Sequence, residues 1–324
     1  MSGNTIGGWT LDALLSYRKG ASRWYIGANG SQVKDESDFH QLKTTIVDDY
    51  ITTSDAEGER YRSIDTELGR VGWEFNKSGH KLNVELQGGM SRWLNGGDML
   101  YYEHREQGGN VINDATYDSH DHNYIEKHIG QASFDYVWKI NDKGDRLSAN
   151  GRMRYDWYSL EYTESNMFDF SGVRHEGTRG YEKEHHWDSD ATLNYNINYR
   201  PSGRIDVGYQ FTSYSEHGDY TFREWDNSKQ QFFNRDDLYA PFYYRRQIHS
   251  AYAMLTDKFG NLSLEAGLRA AHTIDWMDIE VQEEKNRHRY IKRTELYPSA
   301  HLSYAAPGNN VFSAGYSYRT SRPG

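Results

Sequence analysis

The chain has 324 residues, no cysteine and a formal net charge of −10. That excludes disulfides and thiolate metal sites, and with no basic stripe it argues against a nucleic-acid partner. A mean hydropathy of −0.95 excludes a bundle of transmembrane helices, which needs apolar runs of about twenty residues, but not a membrane β-barrel, whose strands need an apolar residue only at every second position.

The opening MSGNTIGGWTLDALLSYRKG has no basic segment followed by an apolar core, so it does not read as a secretion signal. The closing SAGYSYRTSRPG stops after an alternating run, and the sequence reads as a piece of something longer. Alternation begins with Trp9, Leu11, Ala13, Leu15 and Tyr17, turns at RKGAS (18–22) and resumes with Trp24, Ile26 and Ala28. Period two means a strand with one apolar and one polar face. The same unit returns five times along the chain. Val71, Trp73 and Phe75 lead through NKSGH (76–80) to Leu82, Val84 and Leu86. Phe134, Tyr136 and Trp138 lead through NDKGDR (141–146) to Leu147, Ala149, Met153 and Tyr155. Leu193, Tyr195 and Ile197 lead through RPSGR (200–204) to Ile205, Val207 and Tyr209. KFGN (258–261) and APGNN (306–310) turn the last two pairs, ending in Phe312, Ala314 and Tyr316. The corners carry the Gly, Asn and Ser that tight turns favour.

This layout predicts twelve strands as six hairpins. Polar segments at 34–60, 94–127, 161–187, 217–245 and 273–293 read as long loops between the hairpins. Loops of that length count against a compact soluble domain. Short turns on one rim and long loops on the other are the layout of an antiparallel, up-and-down transmembrane β-barrel. The fold class is therefore all-β, with residues 1–324 forming a single barrel segment. Between the apolar positions stand Asp12, Glu74, Asn83, Glu85, Gln87, Asp135, Arg152, Arg154, Asp156, Asn194, Asn196, Asp206, Glu265 and Arg269. A lipid-facing Arg or Lys at the midplane costs roughly 2–4 kcal/mol, so this parity must face a wet interior. Aromatics gather near the strand ends: Tyr17, Trp24, Trp73, Phe75, Trp138, Tyr199 and Tyr304 by the short turns, and Trp93, Trp157, Tyr158 and Tyr214 by the long segments. Two such bands match the girdles at the membrane–water boundaries.

The stretches LSYRKGASRWYIGANGS (15–31), LSLEAGLRAAHT (262–273), LYPSAHLSY (296–304) and FSAGYSYRTSRP (312–323) resemble the barrel of TonB-dependent receptor-like outer-membrane proteins of the Bacteroidetes type. The resemblance implies a plug domain, a TonB-contacting segment and a signal peptide, none of which this sequence contains, and further strands beyond it. It also implies that the short corners face the periplasm and the long segments the outside. The partners implied are the outer-membrane bilayer, the TonB complex through the plug, and a small-molecule, glycan or metal-chelate ligand. Two alternatives stand beside it: a passive twelve-stranded porin and a soluble β-rich binding protein.

No catalytic residue is expected, because no nucleophile-elbow pattern is present, and no cofactor is expected. DSHDHNY (118–124) offers Asp118, His120, Asp121 and His122 as weak metal candidates without a recognised spacing. EKEHHWD (182–188) offers His185 and His186, which point opposite ways if the segment is extended. Flat aromatics among amides and carboxylates suit polar ligands, which singles out Tyr101, Tyr102, Trp225, Phe232, Phe233, Tyr243 and Tyr244. The bland reading of the same residues is that the outer segments pack on one another.

Overall fold

The alternating runs become one continuous antiparallel sheet. The computed structural model describes residues 2–3, 7–169, 171–239, 241–280 and 287–320. Its strands are β1 (Ser2–Gly3), β2 (Trp9–Lys19), β3 (Ser22–Val47), β4 (Tyr50–Lys77), β5 (His80–Gln107), β6 (Asn110–Lys139) and β7 (Arg146–Phe168). They continue as β8 (Arg174–Arg200), β9 (Gly203–Asp226), β10 (Gln231–Asn234), β11 (Phe242–Phe259), β12 (Leu262–Ile279), β13 (Arg287–Ala306) and β14 (Asn310–Ser317). Each strand pairs with its neighbour in sequence, except that the short β10 folds back on β9 and β9 also pairs with β11. Apart from the two short pieces β1 and β10, these are the twelve strands expected, and all six corners fall on turns. Gly20, Gly79, Gly144, Gly260 and Gly308 take positive φ in five of them, which glycine adopts without strain.

The expected long loops are not loops. Most of 34–60 belongs to β3 and β4, joined by a tight turn at Asp48 and Asp49; 94–127 is β5 and β6 around Gly108 and Gly109. The segments 161–187, 217–245 and 273–293 are likewise mostly strand; of the last, 281–286 lie outside the described residues. The physical reason is solvent on both faces. Residues beyond the bilayer need no apolar parity, so the period-two contrast vanishes while the ladder continues. Polar pairs and cation–ring contacts across strands replace it: His40 Nε2 lies 2.8 Å from Asp55, and the Arg60 guanidinium sits 3.6 Å from the Phe39 ring centre.

Register aligns the apolar positions into transverse rows. One row runs Leu15, Ile26, Val71, Leu86, Ala132, Met153 across β2 to β7. Leu15 is 73% exposed and Ile26 59%, a load that only lipid covers. The opposite face at this level is polar: the Tyr25 hydroxyl donates to Glu85 at 2.8 Å, and Arg152 Nε donates to Asp190 at 2.9 Å. With glycines set aside, every buried residue except Asn166 and Asp257 belongs to this polar parity, among them Ser91, Ser119, Asp206, Ala271 and Thr273. A single sheet layer buries side chains only by crowding them against each other, so the polar side is the enclosed one.

The uncharged outward run on β8, apolar except at Ser189, extends from Ile197 to Trp187. Ten residues rise about 33 Å along a strand, or about 25 Å across a bilayer at the usual tilt, which is the height of a barrel's apolar band. Above Trp187 the same parity continues as His185 and Lys183; on β3 it continues past Ala28 and Gly30 as Gln32, Lys34 and Glu36. Spanning takes about 9–11 residues. The five longest strands have 26 to 30 residues and project far beyond the membrane on the side opposite the short turns.

The lower aromatic belt is as expected, with Tyr17, Trp24 and Trp73 side by side on the lipid face. The upper one needs correction. Trp93, Tyr158 and Tyr214 turn to the interior; lipid-facing Trp157 and Trp187 mark this boundary, flanked by outward His128 and His185. Tyr158 follows Trp157 directly, and period two sends neighbours to opposite faces.

Two local features fix the sheet's lower rim and its last strand. Asp257 on β11 is 3% exposed and accepts hydrogen bonds from Tyr199, from Arg200 Nε at 2.9 Å and from Ser202, tying the RPSGR corner to the next hairpin. Pro298 has no N–H to give, and the β13–β14 ladder ends at Ser299, one residue short of it.

Candidate ligand-binding site

The aromatic candidates divide between two faces. Tyr101, Phe233 and Tyr244 fall on the interior parity; Tyr102, Trp225, Phe232 and Tyr243 fall on the outer one. Trp225 and Phe232 meet edge-on at 5.2 Å, and the Arg174 guanidinium lies 4.7 Å from Trp225 and 5.1 Å from Phe232. These two rings pack with each other and with Arg174 at the outer tip of the sheet. Tyr101 stacks on Tyr117 at 5.1 Å on the inner wall.

The metal candidates of β6 are split in the same way. His120 and His122 face outward, His120 Nδ1 lying 2.6 Å from Asp98 and His122 bonding the Tyr61 hydroxyl. Asp121 lies between them in sequence and faces the interior. The three therefore form no common ligand set. The tips are ordered by polar turns. The Ser228 hydroxyl and the N–H groups of Ser228 and Lys229 hold the Asp226 carboxylate down at about 2, and Ser171 and Val173 lower Asp169 in the same way.

The structure gathers its densest interior chemistry just above the apolar band. β7 contributes Asp156 and Tyr158, β8 Glu182, Glu184 and His186, β9 Tyr214 and Glu216, and β11 Tyr244 and Arg246. Strand parity places these at alternate positions on one face, and register brings His186 directly opposite Glu216. Rings form a row across the wall: Tyr158 to His186 at 4.9 Å, His186 to Tyr214 at 6.0 Å, and Tyr214 to Tyr244 at 6.0 Å. His186 Nε2 lies 2.9 Å from Glu184 Oε2 and 3.9 Å from Glu216 Oε1. The Tyr214 hydroxyl donates to the other oxygen of Glu216. Arg246 Nε donates to Asp275 on β12 at 2.8 Å, and Arg154 and Lys127 flank Asp156 at 2.9 and 3.8 Å.

Aromatic faces, carboxylate acceptors and an imidazole on one interior wall can stack and hydrogen-bond a polar ligand. Of this set the sequence flagged Asp156 as an interior position, Tyr158 and Tyr214 as girdle aromatics, His186 as a weak metal candidate and Tyr244 as a ligand-binding candidate, and did not join them. Glu184 and Glu216 carried no separate signal: Glu184 fell in the segment 161–187 read as a loop, and Glu216 stood at the edge of the next such segment.

Residues 138–324 match the model of the outer membrane protein beta-barrel family. No curated protein matches the chain in sequence. Among solved structures, the outer membrane protease OmpT from Escherichia coli is similar at 8% identity and a TM-score of 0.24, over 86% of this chain and 96% of that one. The ferric yersiniabactin uptake receptor FyuA from Yersinia pestis is similar at 8% identity and a TM-score of 0.29, over 97% of this chain and 66% of that one. The alcaligin outer membrane receptor FauA from Bordetella pertussis is similar at 11% identity and a TM-score of 0.21, over 96% and 68%. At these scores the three structures bear on neither substrate nor activity.

Proposed function

Because the chain belongs to the outer membrane protein beta-barrel family, we propose that it forms part of the wall of an outer-membrane uptake receptor, which takes a polar small molecule, glycan or metal chelate at its outer mouth and passes it inward by binding rather than by chemistry. The observation that carries this reading is the placement of the Tyr158, His186, Tyr214 and Tyr244 row on the inner wall, below strand extensions that rise well past the bilayer. A simple pore needs neither the extensions nor an aromatic row.

Two further points support a larger, energised assembly. Among the described residues β2 and β14 do not pair with each other. An open strand edge in hydrocarbon leaves N–H and C=O groups unsatisfied at several kcal/mol each, so both edges need strand partners in the assembled wall. The C-terminal stretches resemble receptors that draw energy from TonB through a plug. The test is uptake by whole cells of labelled oligosaccharides and labelled iron chelates, with and without the gene and with and without a protonophore. We expect gene-dependent uptake of one class that the protonophore stops. Gene-dependent uptake that ignores the protonophore would replace this reading with a passive porin, and absence of gene-dependent uptake would overturn it.

A further inference from the structure

We propose that Glu184, His186 and Glu216 form a resident site for a divalent first-row cation, zinc by the character of its donors, on the inner wall of the barrel. The inference concerns this wall itself and holds whichever ligand the barrel transports.

The three donors come from two adjacent strands on one face. Glu184 and His186 are two apart on β8, and Glu216 is the register partner of His186 on β9. One ligand atom from each lies within 4.8 Å of the others. Zinc holds N and O donors at about 2.0–2.2 Å, which puts tetrahedral donors about 3.4 Å apart. The two distances from His186 Nε2, 2.9 Å to Glu184 and 3.9 Å to Glu216, bracket that value, so small rotations of the carboxylates suffice. One imidazole with two carboxylates is a borderline donor set that suits zinc among the common divalent ions.

Three independent features point the same way. The His186 ring is held between Tyr158 and Tyr214, which fixes the direction of Nε2. The Tyr214 hydroxyl occupies Glu216 Oε2 and leaves Oε1 for an ion, the outer-shell support that metal carboxylates commonly have. Carboxylates crowd the imidazole: Glu182 lies opposite Glu161 across the β7–β8 ladder, and His186 is the only basic partner of Glu184 and Glu216 among the described residues. Lys127 and Arg154 are engaged with Asp156. A dication placed among the three donors meets the imidazole nitrogen and both carboxylates at once. Its remaining position opens to the interior, where water or a ligand oxygen completes the shell.

The test uses the full protein in detergent, stripped with chelator and titrated with Co²⁺ followed by visible absorption, then with Zn²⁺ by calorimetry. We expect the intense d–d bands of tetrahedral cobalt at one equivalent, displaced by zinc. His186→Ala and Glu216→Gln should each weaken binding at least about tenfold, whereas His185→Ala, on the lipid face of the same strand, should leave it unchanged. Heat-modifiable migration on gels checks that each variant is folded, and Glu216→Gln stands if His186→Ala does not fold. Absence of the cobalt bands in the unaltered protein overturns the proposal, and so does binding that survives both site variants.

Discussion

Leu193→Arg is expected to destabilise the folded protein in bilayers by roughly 2–4 kcal/mol, the cost of a guanidinium at the midplane of a barrel's lipid face. Leu193 lies midway along the apolar run of β8, between Ala149 of β7 and Tyr209 of β9, and is 49% exposed with no protein element over it. Its neighbour Thr192 points to the opposite face, between Asn150 and Gln210. Thr192→Arg therefore meets water and polar groups and should be nearly neutral. At His185, on the lipid parity but at the boundary, Arg should cost only about 0–1 kcal/mol. Urea unfolding of the three variants in lipid vesicles measures the series. Equal costs for Leu193→Arg and Thr192→Arg would mean that the two faces are not lipid and water.

Gly72→Ala is expected to cost about 1–3 kcal/mol, as overpacking a fitted contact does. A Cβ at residue 72 would come within 2.1 Å of Tyr25 Cζ and 2.3 Å of its hydroxyl, because the Tyr25 ring lies flat across this glycine to reach Glu85 one strand further. Tyr25 must swing away and surrender that bond. Gly69→Ala is the control, since its nearest neighbour is the Gly88 carbonyl at 3.9 Å. A double-mutant cycle with Tyr25→Ala separates the contact from any backbone effect of glycine: in the Tyr25→Ala background Gly72→Ala should lose most of its cost. A cost that persists there would place the effect in the backbone.

The part of the fold that touches lipid was legible because lipid enforces parity. The pairs Leu15–Ile26 and Val71–Leu86 announce themselves as alternation, and the corners between them as turn chemistry. Where water bathes both faces that constraint lapses, and KDESDFHQLKTTIV (34–47) reads as loop although it pairs residue by residue with β4. The interior cluster was hidden for a different reason. Counting back from the corner, Arg200 opposite Gly203 would set His186 against His217. A bulge between Asn198 and Arg200 shifts the register by one and sets it against Glu216. Such a bulge has no signature in NYRPSGR, so neither the triad nor its shared face could be counted from the sequence.

Absence of cysteine makes every introduced cysteine a unique reporter. The most direct test of the architecture is a single-cysteine spin-label scan of residues 181–197 on β8 in bilayers, reading collision with oxygen against collision with a water-soluble nickel chelate. Odd positions from 187 to 197 should favour oxygen and even positions the chelate, in strict alternation, and both parities should favour the chelate at 185 and below. A scan without period-two alternation, or with the chelate reaching Leu193 and Tyr195 as readily as Thr192 and Asn194, would contradict the membrane-spanning wall on which the rest depends.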